Sequence, residues 1–144
     1  TAPAIADMGH DHSTDPATEA MPHSDGHGEH SHHGMLAISD GQPVPQVVVA
    51  VYPDPVAGWN LHIMTENWEF APDAVNASSL TTEGHAHLYL NGEKITRIYS
   101  EWHYLPSLPP GEHTLTVGLN ANGHETLMYD GEAIAASVKV IVPE

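Results

Sequence analysis

The stretch HAHLYLNGEKITRIYS, residues 85–100, decides the fold class. Two runs rich in β-branched and aromatic residues flank Asn91-Gly92, a dipeptide that favours the two-residue turn of a β-hairpin. Similar runs, bounded by turn residues, occur on both sides of this hairpin, at residues 46–52, 59–65, 113–119, 125–129 and 134–142. About seven strands at this spacing predict an all-β fold, an immunoglobulin-like antiparallel β-sandwich of ~100 residues.

The chain divides by composition into two parts. Residues 1–43 contain 7 acidic residues, 7 histidines, no Lys or Arg and no aromatic residue, so they cannot build a core. We therefore predict a flexible, acidic, His-rich tail over residues 1–43 and the sandwich domain over residues 44–144. Ten residues are expected in the core of that domain: Trp59, Trp68, Phe70, Leu88, Leu90, Ile95, Leu115, Val117, Val138 and Val140.

Charge and cysteine content exclude several classes of function. The chain has 19 Asp and Glu against 3 Lys and Arg, for a formal charge of −16, so it lacks the cations that bind a nucleic-acid backbone. No apolar run approaches the roughly 18 residues of a membrane span, which predicts no direct membrane insertion. The absence of cysteine excludes disulfides, thiolate metal sites and thiol catalysis. No catalytic motif is present, so we do not expect an enzyme.

A His-x-His pair is the strongest signal for a binding site. His85 and His87 alternate with Ala86, so both imidazoles lie on one face of a strand, the face expected to be solvated. Their Cα atoms should lie about 6.5–7 Å apart, which lets two ring nitrogens converge on one ion at ~2.0 Å. His62, on the polar face of its own strand, or His124, in a turn, could supply a third ligand. Alternatively, these histidines are simply the polar half of an alternating pattern.

Further candidate ligands lie elsewhere in the sequence. His103, within Trp102-His103-Tyr104, borders the predicted site, although an aromatic cluster at the sheet edge explains it equally well. The tail combines imidazole, carboxylate and thioether groups, a composition typical of metal binding. Its seven histidines are His10, His12, His23, His27, His30, His32 and His33.

The available donors limit the metals that such sites would hold. Without thiolates, the ligand set is imidazole and carboxylate, which suits copper(II), zinc or nickel. A flexible segment imposes no fixed coordination geometry and therefore discriminates weakly between metal ions. Its affinities should follow the Irving–Williams order, with copper(II) first. We therefore expect copper, with zinc and nickel as alternatives.

The segments GHAHLYLNGEKITRIYSEWHYLP (84–106) and LPPGEHTLTVGLNANGHE (108–125) resemble a family of small exported bacterial proteins, frequent in cyanobacteria. The resemblance covers residues 45–142 and implies an immunoglobulin-like sandwich with His62, His85, His87 and His124 in matching positions. It also implies export to the periplasm, with the thylakoid lumen or the exterior as alternatives. The start at Thr1 without Met is what removal of a signal peptide, or artificial trimming of a longer chain, would leave. The His-x-His alone is similar to copper–zinc superoxide dismutases, and dismutase activity does not follow from it.

Three functions fit these observations. The leading hypothesis is an extracytoplasmic copper-binding protein that buffers or delivers copper through a site on the sandwich and through the tail. The alternative is a non-catalytic structural or interaction subunit of a larger extracytoplasmic or membrane-associated assembly, in which a protein partner orders the tail. Redox catalysis at a copper centre is the third, and it requires three or four converging imidazoles with an open position.

Overall fold

The computed structural model describes residues 34–144, which form an all-β fold, as the sequence predicts. All seven predicted strands are present, and four short strands add to them. The eleven strands of these residues are β1 (Met35–Ala37), β2 (Gln46–Pro53), β3 (Trp59–Glu66), β4 (Glu69–Phe70), β5 (Glu83–Leu90), β6 (Glu93–Ile98), β7 (Trp102–Leu105), β8 (Gly111–Asn120), β9 (Thr126–Tyr129), β10 (Glu132–Ala133) and β11 (Ala135–Val142). One turn of 3₁₀ helix, Pro72–Ala74, lies between β4 and β5. Within the described part of the chain, no helix is long and apolar enough to cross a membrane.

The strands form two sheets, which confirms the predicted sandwich. The larger sheet has the order β1-β9-β8-β5-β4, with β10 beside β9, β11 beside β8 and β6 beside β5. The smaller sheet has the order β2-β3-β7. Most neighbouring strands are antiparallel, whereas β1 pairs with β9 and β4 pairs with β5 in parallel. Strand β5 thus lies inside the larger sheet, between β6 and β8.

The hydrophobic core contains residues from both sheets. Leu61 and Ile63 on β3 are buried together with Leu88 on β5 and Val117 on β8. Of the ten residues expected in the core, five are buried and four are half-buried. The buried residues are Trp68, Leu88, Leu115, Val117 and Val140, and the half-buried ones are Trp59, Phe70, Leu90 and Val138.

Ile95 is an exception, because its side chain is 43% exposed. Strand β6 contains two isoleucines three residues apart, and alternation sends them to opposite faces. Ile98 pairs in register with Ala86, and both side chains are fully buried. The face that carries Ile98 is therefore the core face, and the placement of Ile95 in the core was wrong.

Strand β1 lies on the N-terminal side of the predicted domain boundary. Met35–Ala37 pairs with β9, and Ile38, which follows, joins the core with 7% of its surface exposed. The apolar run MLAI, residues 35–38, is too short for its alternation to stand out from a polar segment. The sandwich thus includes residues that composition assigned to the tail.

Two local features fix the position of β5. The hairpin predicted at Asn91-Gly92 joins β5 to β6, and both turn residues have the positive φ, 52° and 89°, that this turn requires. At Gly84 a Cβ atom would collide with the carbonyl oxygen of Asn120 on β8. Glycine therefore allows β5 and β8 to approach closely immediately before His85.

Candidate metal centre

Three histidines of the described residues, His85, His87 and His124, come together in one group, which we call the triad. One nitrogen from each ring lies within 4.8 Å of the others. The ring centroid of His85 is 5.1 Å from that of His87 and 4.9 Å from that of His124. The His-x-His pair thus stands side by side as predicted, and the triad could hold a metal ion.

The His-x-His pair of the triad is more deeply buried than the alternation pattern predicted. His85 is 0% and His87 6% exposed, so the face of β5 that was expected to be solvated is covered. The ring of Tyr99, at a centroid distance of 5.9 Å from His85, and the turn that carries His124 lie against it. Because Ala86 and Leu88 are buried on the opposite face, β5 is enclosed on both sides.

The buried imidazoles lack the hydrogen bonds that such groups normally make. Both ring nitrogens of His85 and Nε2 of His87 are inaccessible to solvent and have no hydrogen-bond partner among the described residues. Leaving a buried polar group unsatisfied costs about 1–3 kcal/mol. A metal ion would take an electron pair from one nitrogen of each ring, so the unpartnered nitrogens fit a ligated metal.

The electrostatic environment keeps the two imidazoles neutral. Burial lowers the pKa of His85 from 6.5 to about 4, and the neighbouring His124 adds to this effect. Burial likewise lowers the pKa of His87 to about 3, with the charge of Lys94 as the next cause. At neutral pH each ring is therefore deprotonated, which is the form that binds a metal.

A hydrogen bond sets the tautomer of the third imidazole. His124 Nε2 lies 2.7 Å from Oδ1 of Asn76. Since an amide oxygen only accepts, Nε2 carries the proton and donates, which leaves the ring lone pair on Nδ1. Both residues have left-handed backbone conformations, with φ of 77° for His124 and 70° for Asn76, as is frequent at functional sites.

The turn that carries His124 is anchored to the first residue of β5 and to the segment before it. Asn122 Nδ2 donates to Glu83 Oε2 at 2.9 Å and to the carbonyl oxygen of Ser78 at 3.1 Å. Ser79 Oγ donates to Glu125 Oε1 at 2.7 Å and accepts from the amide of Gly123 at 2.9 Å. These bonds on both sides of His124 hold its ring against β5.

His62 and His103 lie on the smaller sheet and are not part of the triad. The ring of His62 stacks on Trp102 with centroids 4.0 Å apart and planes 1° from parallel, and its Nε2 is 3.9 Å from Glu101 Oε1. His103 is half-buried on β7, where burial lowers its pKa. Of the two alternatives for a third ligand, the structure thus brings His124, not His62, to the pair.

Of the remaining histidines, His113 has a structural role, and those of the N-terminal tail are not described by the structure. His113 Nε2 donates to the carbonyl oxygen of Pro109 at 2.7 Å, and its Nδ1 lies 3.0 Å from Asn91 Nδ2, so its ring braces the hairpin. The predicted tail ligands His10, His12, His23, His27, His30, His32 and His33 lie outside the described residues.

Comparisons with protein-family models, with curated proteins and with solved structures give no match for this chain.

Sequence reasoning missed Asn76 and Tyr99 at the site. Tyr99 is two residues after Arg97, so both lie on the same face of the chain. Because Arg97 pairs with His87, the hairpin register could have placed Tyr99 near the triad. No local signal marked Asn76, since its contact with His124 joins residues 48 positions apart.

Proposed function

We propose that this protein binds one copper ion through His85, His87 and His124 and acts as an extracytoplasmic copper-buffering or copper-delivery protein. The observation that carries the proposal is a set of three buried ring nitrogens, two of His85 and one of His87, that have no hydrogen-bond partner among residues 34–144 and belong to a three-histidine group. In the folded protein, an ion or another ligand would bind these nitrogens and compensate for their lack of hydrogen bonds.

The ligand chemistry favours copper. Three neutral imidazoles suit copper, zinc and nickel, and copper(II) has the highest affinity for nitrogen ligands in the Irving–Williams order. The absence of cysteine supports an exported protein, because its ligand set does not depend on reduced thiols. Resemblance to exported bacterial proteins supports the same compartment, with the periplasm as the proposed location.

Burial supports binding rather than catalysis. A redox centre needs an open coordination position that a substrate can reach. The ring of His85 has no exposed surface, and Tyr99 and the turn of His124 cover it. Such a site would retain an ion and release it by a local movement, as a buffer or carrier requires.

Thermal unfolding of the full-length protein tests the proposal. A ligand that binds only the folded state stabilises it by about 2.7 kcal/mol at 100 times its Kd, which for a domain of this size raises Tm by about 10 °C. We expect copper(II), added to the metal-free protein, to raise Tm in this way, and His87→Ala to abolish most of the rise. His62→Ala is the matched control and should retain it. A full rise in H87A, or none in the wild type, would contradict the proposal.

One observation favours a second candidate function, an interaction subunit. Val48, Tyr52, Trp102 and Tyr104 are exposed, and the register of β2, β3 and β7 places them on the outer face of the smaller sheet. An apolar face of this kind is typical of a protein interface. If this is the main function, copper should leave Tm unchanged, so the same experiment separates the two candidates.

A further inference from the structure

We propose that a cavity beside strand β4 binds a small organic cation, a ligand that carries a guanidinium or ammonium group. The cavity has a volume of about 670 Å³ and lies between the end of β3, strand β4 and the start of β5. Such a volume is typical of small-molecule sites. None of the described residues that line it belongs to the triad, so the inference is independent of the proposed copper site.

Three carboxylates line the cavity without a cation to balance them. They belong to Glu69 on β4, Glu83 on β5 and Glu101, which precedes β7. Within residues 34–144, no Lys or Arg lines the cavity, and the three Lys and Arg of the chain lie on β6 and β11. The cavity therefore attracts positive charge.

The register of β4 and β5 makes this concentration of charge unfavourable in the ligand-free protein. Glu69 and Glu83 are directly paired, so their backbones are about 4.8 Å apart and their side chains lie on the same side of the sheet. Like charges placed directly opposite each other destabilise a sheet. Glu83 Oε2 accepts a hydrogen bond from Asn122 Nδ2 at 2.9 Å, but this amide does not neutralise the charge. A bound cation would offset the repulsion.

The spacing of the carboxylates favours an organic cation over a metal ion. Among the described residues, the triad is the one group of three or more possible ligands whose ligand atoms all lie within 4.8 Å of one another. Glu69, Glu83 and Glu101 therefore do not converge on a single ion. A guanidinium or ammonium group has several N–H donors that point in different directions, so it can contact carboxylates that are farther apart.

Two aromatic residues suit the remainder of such a ligand. Trp68 and Phe70 line the cavity and pack edge to face, with ring centroids 4.8 Å apart and planes at 76°. Aromatic rings attract organic cations and pack against their apolar stems. Nε1 of Trp68 is buried and has no hydrogen-bond partner among the described residues, so an acceptor on the ligand, such as a carbonyl oxygen, would satisfy it.

Titration of the metal-free, full-length protein with N-acetyl-arginine amide tests the inference. This probe has a guanidinium group and neutral carbonyl acceptors, and N-acetyl-glutamine amide is its uncharged counterpart. Heteronuclear NMR follows the indole N–H of Trp68, with the indole of Trp59, at the opposite end of β3, as the internal reference. We expect a saturable shift of the Trp68 resonance with the arginine probe, and a Kd at least about tenfold higher for the glutamine probe.

Two variants with the same change in net charge locate the site. Glu69→Gln removes a carboxylate from the cavity and should weaken binding of the arginine probe about fivefold. It should also raise the Tm of the ligand-free protein, because the repulsion from Glu83 is lost. Glu112→Gln is the matched control, since Glu112 lies on the surface with Oε1 3.2 Å from Lys139 Nζ, and it should leave the affinity unchanged. H87A should also leave it unchanged, which separates this inference from the proposed function.

Contrary results would overturn the inference in distinct ways. Equal losses of affinity in E69Q and E112Q would mean that an acidic protein attracts any cation without a defined site. Equal affinity for the two probes, or no shift of the Trp68 indole at about 10 mM arginine probe, would exclude a cation site at the cavity. Displacement of the probe by stoichiometric calcium would show that the carboxylates hold a metal ion instead. Glu101→Gln is the second test variant and should repeat the loss of affinity seen in E69Q.

Discussion

The two sheets of the sandwich present histidines in opposite ways. On the smaller sheet, His62 is partly exposed, stacks on Trp102 and lies near the carboxylate of Glu101. On the larger sheet, His85 is fully buried, and neither of its ring nitrogens has a hydrogen-bond partner within residues 34–144. Both residues occupy the polar positions of alternating strands, so an identical sequence pattern gives two different environments.

The comparison shows that His62 stabilises the folded state, whereas His85 destabilises it. The stack of His62 on Trp102 adds favourable contact while solvent reaches the ring. The burial of His85 removes its ring nitrogens from water, and no hydrogen bond within residues 34–144 compensates for that loss. Functional sites typically keep such unfavourable groups because a ligand uses them.

The largest predicted effect is a loss of folding stability at acid pH, caused by His85 and His87. Because the pKa values of His85 and His87 are about 4 and about 3 in the folded state, against 6.5 when unfolded, the unfolded chain binds more protons between these values. Above pH 6.5 both histidines are neutral in the folded and the unfolded state, so the free energy of unfolding does not depend on their protonation. Below pH 6.5 the unfolded chain takes up protons that the folded protein does not, and the free energy of unfolding falls. Each histidine lowers the free energy of unfolding by about 1.4 kcal/mol per pH unit, so we expect a loss of several kcal/mol between pH 6.5 and 4.5.

Urea denaturation of the metal-free protein at a series of pH values measures this loss. The double variant H85L/H87L lacks both groups and should show a much flatter dependence on pH in this range. An equal slope in the wild type and the double variant would mean that other groups cause the acid sensitivity.

Removal of single histidines should change stability in opposite directions on the two sheets. His85→Leu replaces an unsatisfied polar ring with an apolar side chain, and we expect the metal-free protein to gain about 1–3 kcal/mol. His62→Leu removes the stack on Trp102 and should cost about 0.5–1.5 kcal/mol. Urea denaturation at pH 7 measures both. A larger loss in H85L than in H62L would show that the buried ring is a structural part of the core.

The smallest effect concerns the orientation of His124. Asn76→Gly removes the acceptor that fixes the His124 tautomer without straining the positive φ, and copper affinity should fall about tenfold. Asn67→Gly is the matched control, because Asn67 also has a positive φ, 60°, and donates one side-chain hydrogen bond, to the carbonyl oxygen of Val44. Competition titration with a chelator should show no change in N67G. Equal affinities in the two variants would remove Asn76 from the site.

Local patterns in the sequence predicted most of the fold and part of the site. The seven main strands, the hairpin at Asn91-Gly92 and the shared face of His85 and His87 depend on residues close in sequence, which alternation and turn chemistry describe. The choice of His124 over His62 depends on which strands are neighbours. That choice is set by sheet order, which no short segment encodes.

The burial of His85 and His87 could not be predicted for the same physical reason. Alternation identifies the face of a strand but not what covers it. The cover over β5 comes from Tyr99 and from the turn of His124, and Asn76 and Asn122 fix that turn through bonds between distant parts of the chain. Strand β1 escaped detection because three residues are too few to show a period.

The most direct test of the central claim is a crystal structure of the full-length protein soaked with copper, with anomalous data collected on both sides of the copper absorption edge. We predict one strong copper peak about 2.0 Å from a ring nitrogen of each of His85, His87 and His124. Copper found at His62 and Glu101, or no copper peak at the triad, would contradict the account.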